Sequence, residues 1–377
     1  MYSRKYALFL LLMAFLFLGS HPLLAATFEE YMKIGFSAAQ SGNFKKAAAA
    51  FRLAVKADPE SAVAYYNLGV AYQRLDMLKE AEEAYRYAIK FRPDYSGSYL
   101  NLGSILNVMG RPKEALEVLS EGLSVDTGNP ALYYNIGASF EKLGDDPKAL
   151  ENFKKVTQLA PDFPDGWFRC GAVFERMKGY NEAAACYRKA LTLNPDLASA
   201  LFNLGAVLGN MGDWSGQASY TEKFLAKRPE EALGWYNLGV ARLHLGEIQK
   251  AQEAFQRAVE LAPDYPYGWN NLSLCFIKNG RYVEAVEAAS RAVSLEPGLV
   301  VAWSNLGFAH LGAKDFKKAE DAYRKALELN PKFNEPHLGL GLVFLARGDL
   351  KGVKRELEFL ERAKSPLAAK LRQKAGL

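Results

Sequence analysis

Two hydrophobic patterns divide the chain. From Tyr6 to Leu18 the residues form one uncharged apolar run, whereas from Phe28 onward apolar side chains recur every three or four residues in short bursts. Tyr65, Leu68 and Tyr72 make one burst and Ala81, Tyr85 and Ala88 the next; this spacing puts each set on one face of a helix. A glycine commonly separates two bursts, at Gly42, Gly110, Gly144, Gly212, Gly246, Gly280 and Gly348, where a helix C-terminus takes a residue that tolerates positive φ. Prolines then stand at Pro59, Pro93, Pro161, Pro195, Pro229, Pro263, Pro297 and Pro331, spaced by 34 residues or a multiple of 34, with only Thr127 breaking the series. A proline pushes its predecessor out of the helical region and so ends the second helix. Each unit is predicted to be two antiparallel helices that cannot bury their own apolar face, so stability must come from stacking.

Other positions keep the same phase. A small residue recurs at Gly35, Gly69, Gly103, Gly137, Gly171, Gly205, Gly239, Ser273, Gly307 and Gly341, each after an apolar one; alanine-rich series run from Ala47 and Ala81 and from Ala54 and Ala88. Small residues let helix axes approach, and bulky ones such as Tyr85 and Phe255 fill the space between neighbours. The pattern resembles the tetratricopeptide repeat family, with an aromatic, Leu-Gly, Tyr, Ala, an aromatic, Ala and Pro at fixed offsets. The resemblance implies an all-α fold, a right-handed superhelical solenoid of about ten 34-residue helix-turn-helix repeats. Residues 28–367 make the ten units, and residues 368–377 are expected to form a C-terminal capping helix or, on a sharper reading, a basic docking patch. The sixth unit departs from the pattern, since Gln217, Thr221 and Phe224 replace small, aromatic and small residues. Compensation by neighbouring residues and a designed hinge are the two readings of that exchange.

The N-terminal run is preceded by Arg4 and Lys5 and followed by Gly19, Pro22 and the small residues Ala25 and Ala26. This is the layout of an export signal over residues 1–26. The residues three before either alanine are Leu23 and Leu24 rather than small ones, so an uncleaved signal anchor over residues 6–25 stays open. Either reading sends the remainder to the periplasm or cell exterior.

Composition narrows the function. The 377 residues carry 47 Lys and Arg against 42 Asp and Glu, a net +5, too slight to suggest a nucleic-acid partner. Removing Arg4 and Lys5 with a signal leaves 351 residues and +3. Beyond residue 26 there are three histidines, His244, His310 and His337, in separate units, and Cys170, Cys186 and Cys275 form no Cys-x-x-Cys pair. No metal or cofactor motif follows from such spacing. Buried free thiols are the default expectation, with a Cys170–Cys186 bridge as an alternative in an oxidising compartment. The ten units occupy nearly all of the sequence after residue 26, so the expectation is a protein that is not an enzyme.

Binding residues are expected on the first helix of each unit. Two residues before each recurring small position stand Asn67, Asn101, Asn135, Arg169, Asn203, Asn237, Asn271 and Asn305, a row that helical phase puts on the inner face. An amide both donates and accepts, so such a row suits the backbone of an extended peptide. Preceding it are Tyr66, Tyr134, Phe168, Phe202 and Tyr236, which would make the groove aromatic and uncharged apart from Arg169 and Asp165. The strings Tyr65-Tyr66-Asn67-Leu68-Gly69 and Trp235-Tyr236-Asn237-Leu238-Gly239 are similar to the repeat domain of protein O-linked N-acetylglucosamine transferases, whose transferase domain this sequence lacks. The competing reading has the asparagines bonding locally between helices. The family's carboxylate clamp is not matched, because Asp165 takes a lysine position and Leu100 and Ser104 occupy its first pair. The expected function is a scaffold that binds an extended polypeptide in its concave groove; the alternative is a structural assembly factor of a cell-envelope secretion, pilus or polysaccharide-export complex.

Overall fold

The computed structural model describes residues 27–377, which form 21 α-helices and, among the described residues, no strand. The expected export signal lies outside the described residues. The helices fall into two compact units, one running to Val173 and the other starting at Phe174.

The repeat phase becomes a series of helix hairpins. In repeat two the first helix is Ala62–Arg74 and the second Leu78–Phe91. Ser61 caps the first by accepting from the Ala64 N–H at 3.3 Å, the use for which a short hydroxyl side chain is preferred there. All seven glycines predicted to close a first helix have φ between 72° and 80°. Asp76, Lys178 and Lys314 occupy the same place in repeats two, five and nine and are held at φ 60°, 61° and 63°.

The prolines do more than stop the second helix. Five of them offer a carbonyl to an aromatic residue on the following helix: the indole N–H groups of Trp167, Trp235, Trp269 and Trp303 donate to Pro161, Pro229, Pro263 and Pro297 at 2.8–3.0 Å. Tyr99 donates likewise to Pro93 at 3.1 Å. A carbonyl freed at the end of one helix is thereby satisfied by the next repeat. The aromatic period seen in the sequence thus has a polar purpose as well as an apolar one.

Packing inside a hairpin rests on glycine. A Cβ at Gly69 would lie 2.7 Å from the Tyr85 ring, and one at Gly307 would lie 2.5 Å from Tyr323. Both rings are fully buried. Within each unit, second helices pack on the first helix of the next repeat, while first helices also touch one another. The strip of first-helix residues left uncovered is therefore the inner side of each stack.

In repeat six the exchange of large and small is repaired locally. Gln217 fills the space over Gly209 and Thr221 that over Gly205, where added Cβ atoms would lie 2.6 and 2.9 Å away. The enlarged Phe224 is accommodated by Gly234, whose Cβ would sit 2.9 Å from the ring. Both helices of the repeat, Ala198–Asn210 and Trp214–Lys227, keep their usual lengths. This favours compensation over a hinge.

The chain closes with a helix at Leu367–Ala375, one residue earlier than the expected tail. Its Leu371 is fully buried against Gly341 and the apolar residues of repeat ten. All three cysteines are buried, and Cys275 is a free thiol. Burial pushes the Cys275 thiol up to about 12, which leaves it unreactive as a nucleophile at neutral pH.

Candidate functional site

Every residue of the expected binding stripe is half-buried, neither hidden in the core nor fully in solvent. What differs along the stripe is how far each amide is already engaged. In the first unit, Asn101 donates from Nδ2 to the Tyr66 hydroxyl at 3.2 Å, linking repeats two and three. Arg169 makes the equivalent bond from Nε to the Tyr134 hydroxyl at 3.2 Å and reaches Glu141 at 3.3 Å. Asn67 and Asn135 turn back instead to Val63 and Ala131 on their own helices at 2.7 and 2.9 Å.

The rule behind these choices is chemical. The side chain before each row residue meets the row residue of the next repeat, 35 positions later. Where it is a tyrosine, as at Tyr66 and Tyr134, its hydroxyl accepts; Leu100 offers Asn135 no acceptor. In the second unit Tyr236 accepts from Asn271 at 3.3 Å. Asn270, which stands where repeats two to seven carry an aromatic or leucine, donates to Asn271 at 3.0 Å and accepts from Asn305 at 2.9 Å. Tyr236, Asn271, Asn270 and Asn305 form one relay across three repeats. Asn203 donates to the Tyr187 hydroxyl at 3.1 Å. Asn237 follows Phe202 in this scheme, a ring without a hydroxyl, and its amide makes no hydrogen bond among the described residues.

The aromatic members mostly pack edgewise into the stack rather than lining an open channel. Tyr66 lies 5.9 Å from Tyr85 and 5.2 Å from Tyr95; Tyr134 lies 5.6 Å from Phe153 and 5.9 Å from Phe163; Tyr236 lies 5.7 Å from Phe255 and 5.1 Å from Tyr265. Phe202 rests on Phe224 at 5.1 Å. Burial pushes the Tyr236 hydroxyl above its ordinary range, partly offset by the bonds from Asn271 and Tyr265. At Arg169 burial disfavours the charge, but the hydrogen bond to the Tyr134 hydroxyl and the negative charges of Glu141 and Asp165 outweigh it, so the guanidinium is held more firmly charged. Phe168 stands on the same half-buried strip.

Sequence reasoning missed the apolar residues four positions before the row. Leu233 and Tyr267 precede Asn237 and Asn271 on the same helix faces and are 49% and 47% exposed. In the first unit Val63 joins Phe28, Met32 and Phe36 around a groove of about 760 Å³ between the first helices of repeats one and two, rimmed by Glu29, Lys33 and Asp58. The signal was available as apolar residues at i−4 from the row, but it takes the stack to show that nothing covers them. Among the described residues no group of three or more His, Cys, Asp or Glu is placed to hold a metal ion.

Residues 62–95, 232–265 and 300–333 match a family model described as tetratricopeptide repeat; residues 266–299 and 130–163 match two further models of that description, and residues 38–76 and 179–212 one described as TPR repeat. Together the matches span more than half of the sequence. The chain belongs to the tetratricopeptide repeat family. Among solved structures it is similar to the C-terminal part of a TPR repeat-containing protein from Cytophaga hutchinsonii, with 18% identity over 64% of this chain and 99% of that one, at a TM-score of 0.53. It also matches MamA from Desulfovibrio magneticus RS-1, with 25% identity, 45% and 96% coverage and a TM-score of 0.43. A third match is YrrB, described as a TPR protein with an unusual peptide-binding site, with 23% identity, 50% and 96% coverage and a TM-score of 0.47. No curated protein matches significantly. Tetratricopeptide repeats are protein-interaction scaffolds, generally non-enzymatic, and no catalytic domain is indicated in this chain.

Proposed function

We propose that the protein is an exported scaffold that holds an extended polypeptide along the inner strip of its first helices. The observation that carries this reading is Asn237. Its amide is half-buried and unbonded, and it lies beside exposed Leu233 and Tyr267, so it offers two donors and an acceptor next to apolar surface. An extended segment would lay apolar side chains on Leu233 and Tyr267 and exchange backbone hydrogen bonds with Asn237. The similarity of the Asn row to the repeat domain of O-linked N-acetylglucosamine transferases supports the same mode, restricted here to fewer free amides. In the first unit the groove around Phe28, Met32 and Phe36 would receive a further apolar side chain. The basic start and apolar run of residues 1–26 support export to the periplasm or cell surface.

The test is a photo-crosslinking residue at Leu233 in the native cell, followed by mass spectrometry of the adduct and affinity measurement on the purified partner. Asn237→Ala is expected to weaken binding at least fivefold, since a net hydrogen bond contributes about 1 kcal/mol. Unchanged affinity in the folded variant overturns the groove mechanism. The N-terminus of the exported chain, read by mass spectrometry, decides cleavage, and an intact chain confined to the cytoplasm overturns export.

A second reading, a structural part of an envelope assembly engaged through its outer face, has one observation in its favour. In repeat two Tyr65, Tyr87 and Phe91 stack at 4.9 and 5.7 Å, with Tyr87 38% exposed. Repeats three to nine carry a Lys, Arg or Glu in place of Tyr87. Protection of Tyr87 in the native complex, with Leu233 left open, would select this reading.

A further inference from the structure

The excess positive charge of the chain sits at one end. Residues 347–377 hold nine of the 47 Lys and Arg but four of the 42 Asp and Glu, leaving 38 of each sign before Arg347. The structure then separates the two kinds of cation. Each arginine of this end has a carboxylate partner: Arg347 pairs with Glu320 at 2.5 Å, Arg355 with Glu356 at 3.0 Å, Arg362 with Glu358 at 3.3 Å, and Arg372 with Glu361. Lys351, Lys354, Lys364, Lys370 and Lys374 are exposed, and none makes an ion pair. The net charge of the cap is therefore carried by five free ammonium groups.

The apolar side of the last helix is already committed. Leu367, Ala368, Leu371 and Ala375 pack on repeat ten, so Lys370, Gln373 and Lys374 form the outward side. No apolar stripe remains on this helix to enter a hydrocarbon layer or to dock in a protein groove. Protein interfaces concentrate aromatic residues and arginine and are poor in lysine. This surface has the opposite make-up: no exposed aromatic ring, arginines turned to their own glutamates, and lysines free. Strongly hydrated, flexible point charges suit a diffuse anionic plane better than a shaped partner.

We infer that the C-terminal cap is an electrostatic docking surface for a membrane bearing anionic phospholipid, on which the last helix lies without inserting. Each lysine close to such a surface contributes about a fivefold gain in partitioning, and the gain fades as salt shortens the screening length. This inference is independent of the groove reading, since it uses neither the Asn row nor any peptide.

The experiment uses the full chain with vesicles of phosphatidylcholine alone or of equal parts phosphatidylcholine and phosphatidylglycerol. The readout is the acetylation rate of each lysine by an amine reagent, resolved by mass spectrometry, so that any association of the Tyr6–Leu18 segment, common to both vesicles, does not enter. The five cap lysines are expected to react more than tenfold more slowly on the anionic vesicles than on the neutral ones, and Lys45 and Lys46 equally on both. Raising salt from about 0.05 M to about 0.3 M is expected to remove the difference. A chain carrying both Lys370→Gln and Lys374→Gln is expected to lose at least tenfold of the protection at Lys351, Lys354 and Lys364. Equal rates on both vesicles, protection that survives high salt, or protection by soluble polyglutamate without any by the vesicles would each overturn the inference, the last in favour of an acidic protein.

Discussion

Lys178 and Lys314 are held at φ 61° and 63° where seven other repeats have glycine. A side chain in this left-handed region crowds its own backbone, at a cost of about 1–2 kcal/mol, while glycine there loses more chain entropy on folding. Lys178→Gly is therefore expected to stabilise the protein by about 0.5–1 kcal/mol, read as a higher denaturant midpoint with unchanged slope. The asparagine row gives a second residue-scale contrast. Asn271→Ala removes partners from Tyr236 and Asn270 and is expected to cost about 1–3 kcal/mol. Asn237→Ala breaks no hydrogen bond in the chain and is expected to stay within about 0.5 kcal/mol. A larger loss at Asn237 than at Asn271 would show that the relay is not what holds these repeats in register. The row itself was legible as a period. Which amides are free was not, because the bonds between repeats reach residues 35 positions away and depend on whether an acceptor stands there, while Asn67 and Asn135 turn back to their own helices.

The hairpin of repeat ten is covered by a short helix rather than by the first helix of another repeat. Leu367–Ala375 supplies Leu371 to the surface that an eleventh repeat would cover, and His337 takes the place held by tryptophan in four other repeats. Its Nε2 lies 3.4 Å from the Pro331 carbonyl, as those indoles lie near theirs, and its Nδ1 is 2.8 Å from Glu356. Burial raises the Glu356 carboxyl, but hydrogen bonds from His337 and Arg355 outweigh it and hold the carboxyl below its ordinary 4.5. A carboxyl depressed on folding adds stability that is complete above its unfolded value and fades as pH falls through its folded one. Wild-type cap stability is thus expected to drop below about pH 4.5. Glu356→Gln should flatten that part of the acid-unfolding profile, as followed by hydrogen exchange of residues 334–375. An equally steep acid loss in the variant would place the sensitivity elsewhere. The capping helix was legible from its leftover length and amphipathic spacing. The His337–Glu356 pair was not, since the two residues sit 19 positions apart on different helices.

At the scale of the whole molecule, contacts run mainly between helices of the same or adjacent repeats. In such a stack each repeat feels mainly its neighbours, and a local lesion spreads a short way. Leu102 is nearly fully buried in the repeat-three core. Leu102→Ala is expected to cost about 2–5 kcal/mol and to speed amide exchange in repeats two to four while leaving repeat nine unchanged. Uniform acceleration along the chain would instead mean that it unfolds as one block.

The sequence by itself determined the repeat length, the hairpins, the turn glycines and the cap, because each follows from backbone geometry and side-chain size acting within a few residues. The proline phase also determined where each second helix stops. Only the tertiary structure decided that Asn271 and Asn305 belong to a relay while Asn237 stands free. It likewise decided that Tyr66, Tyr134 and Tyr236 tie repeats together, and that the charge of the last helices rests on unpaired lysines. These outcomes depend on which polar groups from successive repeats meet. Stacking sets those meetings, and no periodicity within a single repeat records them.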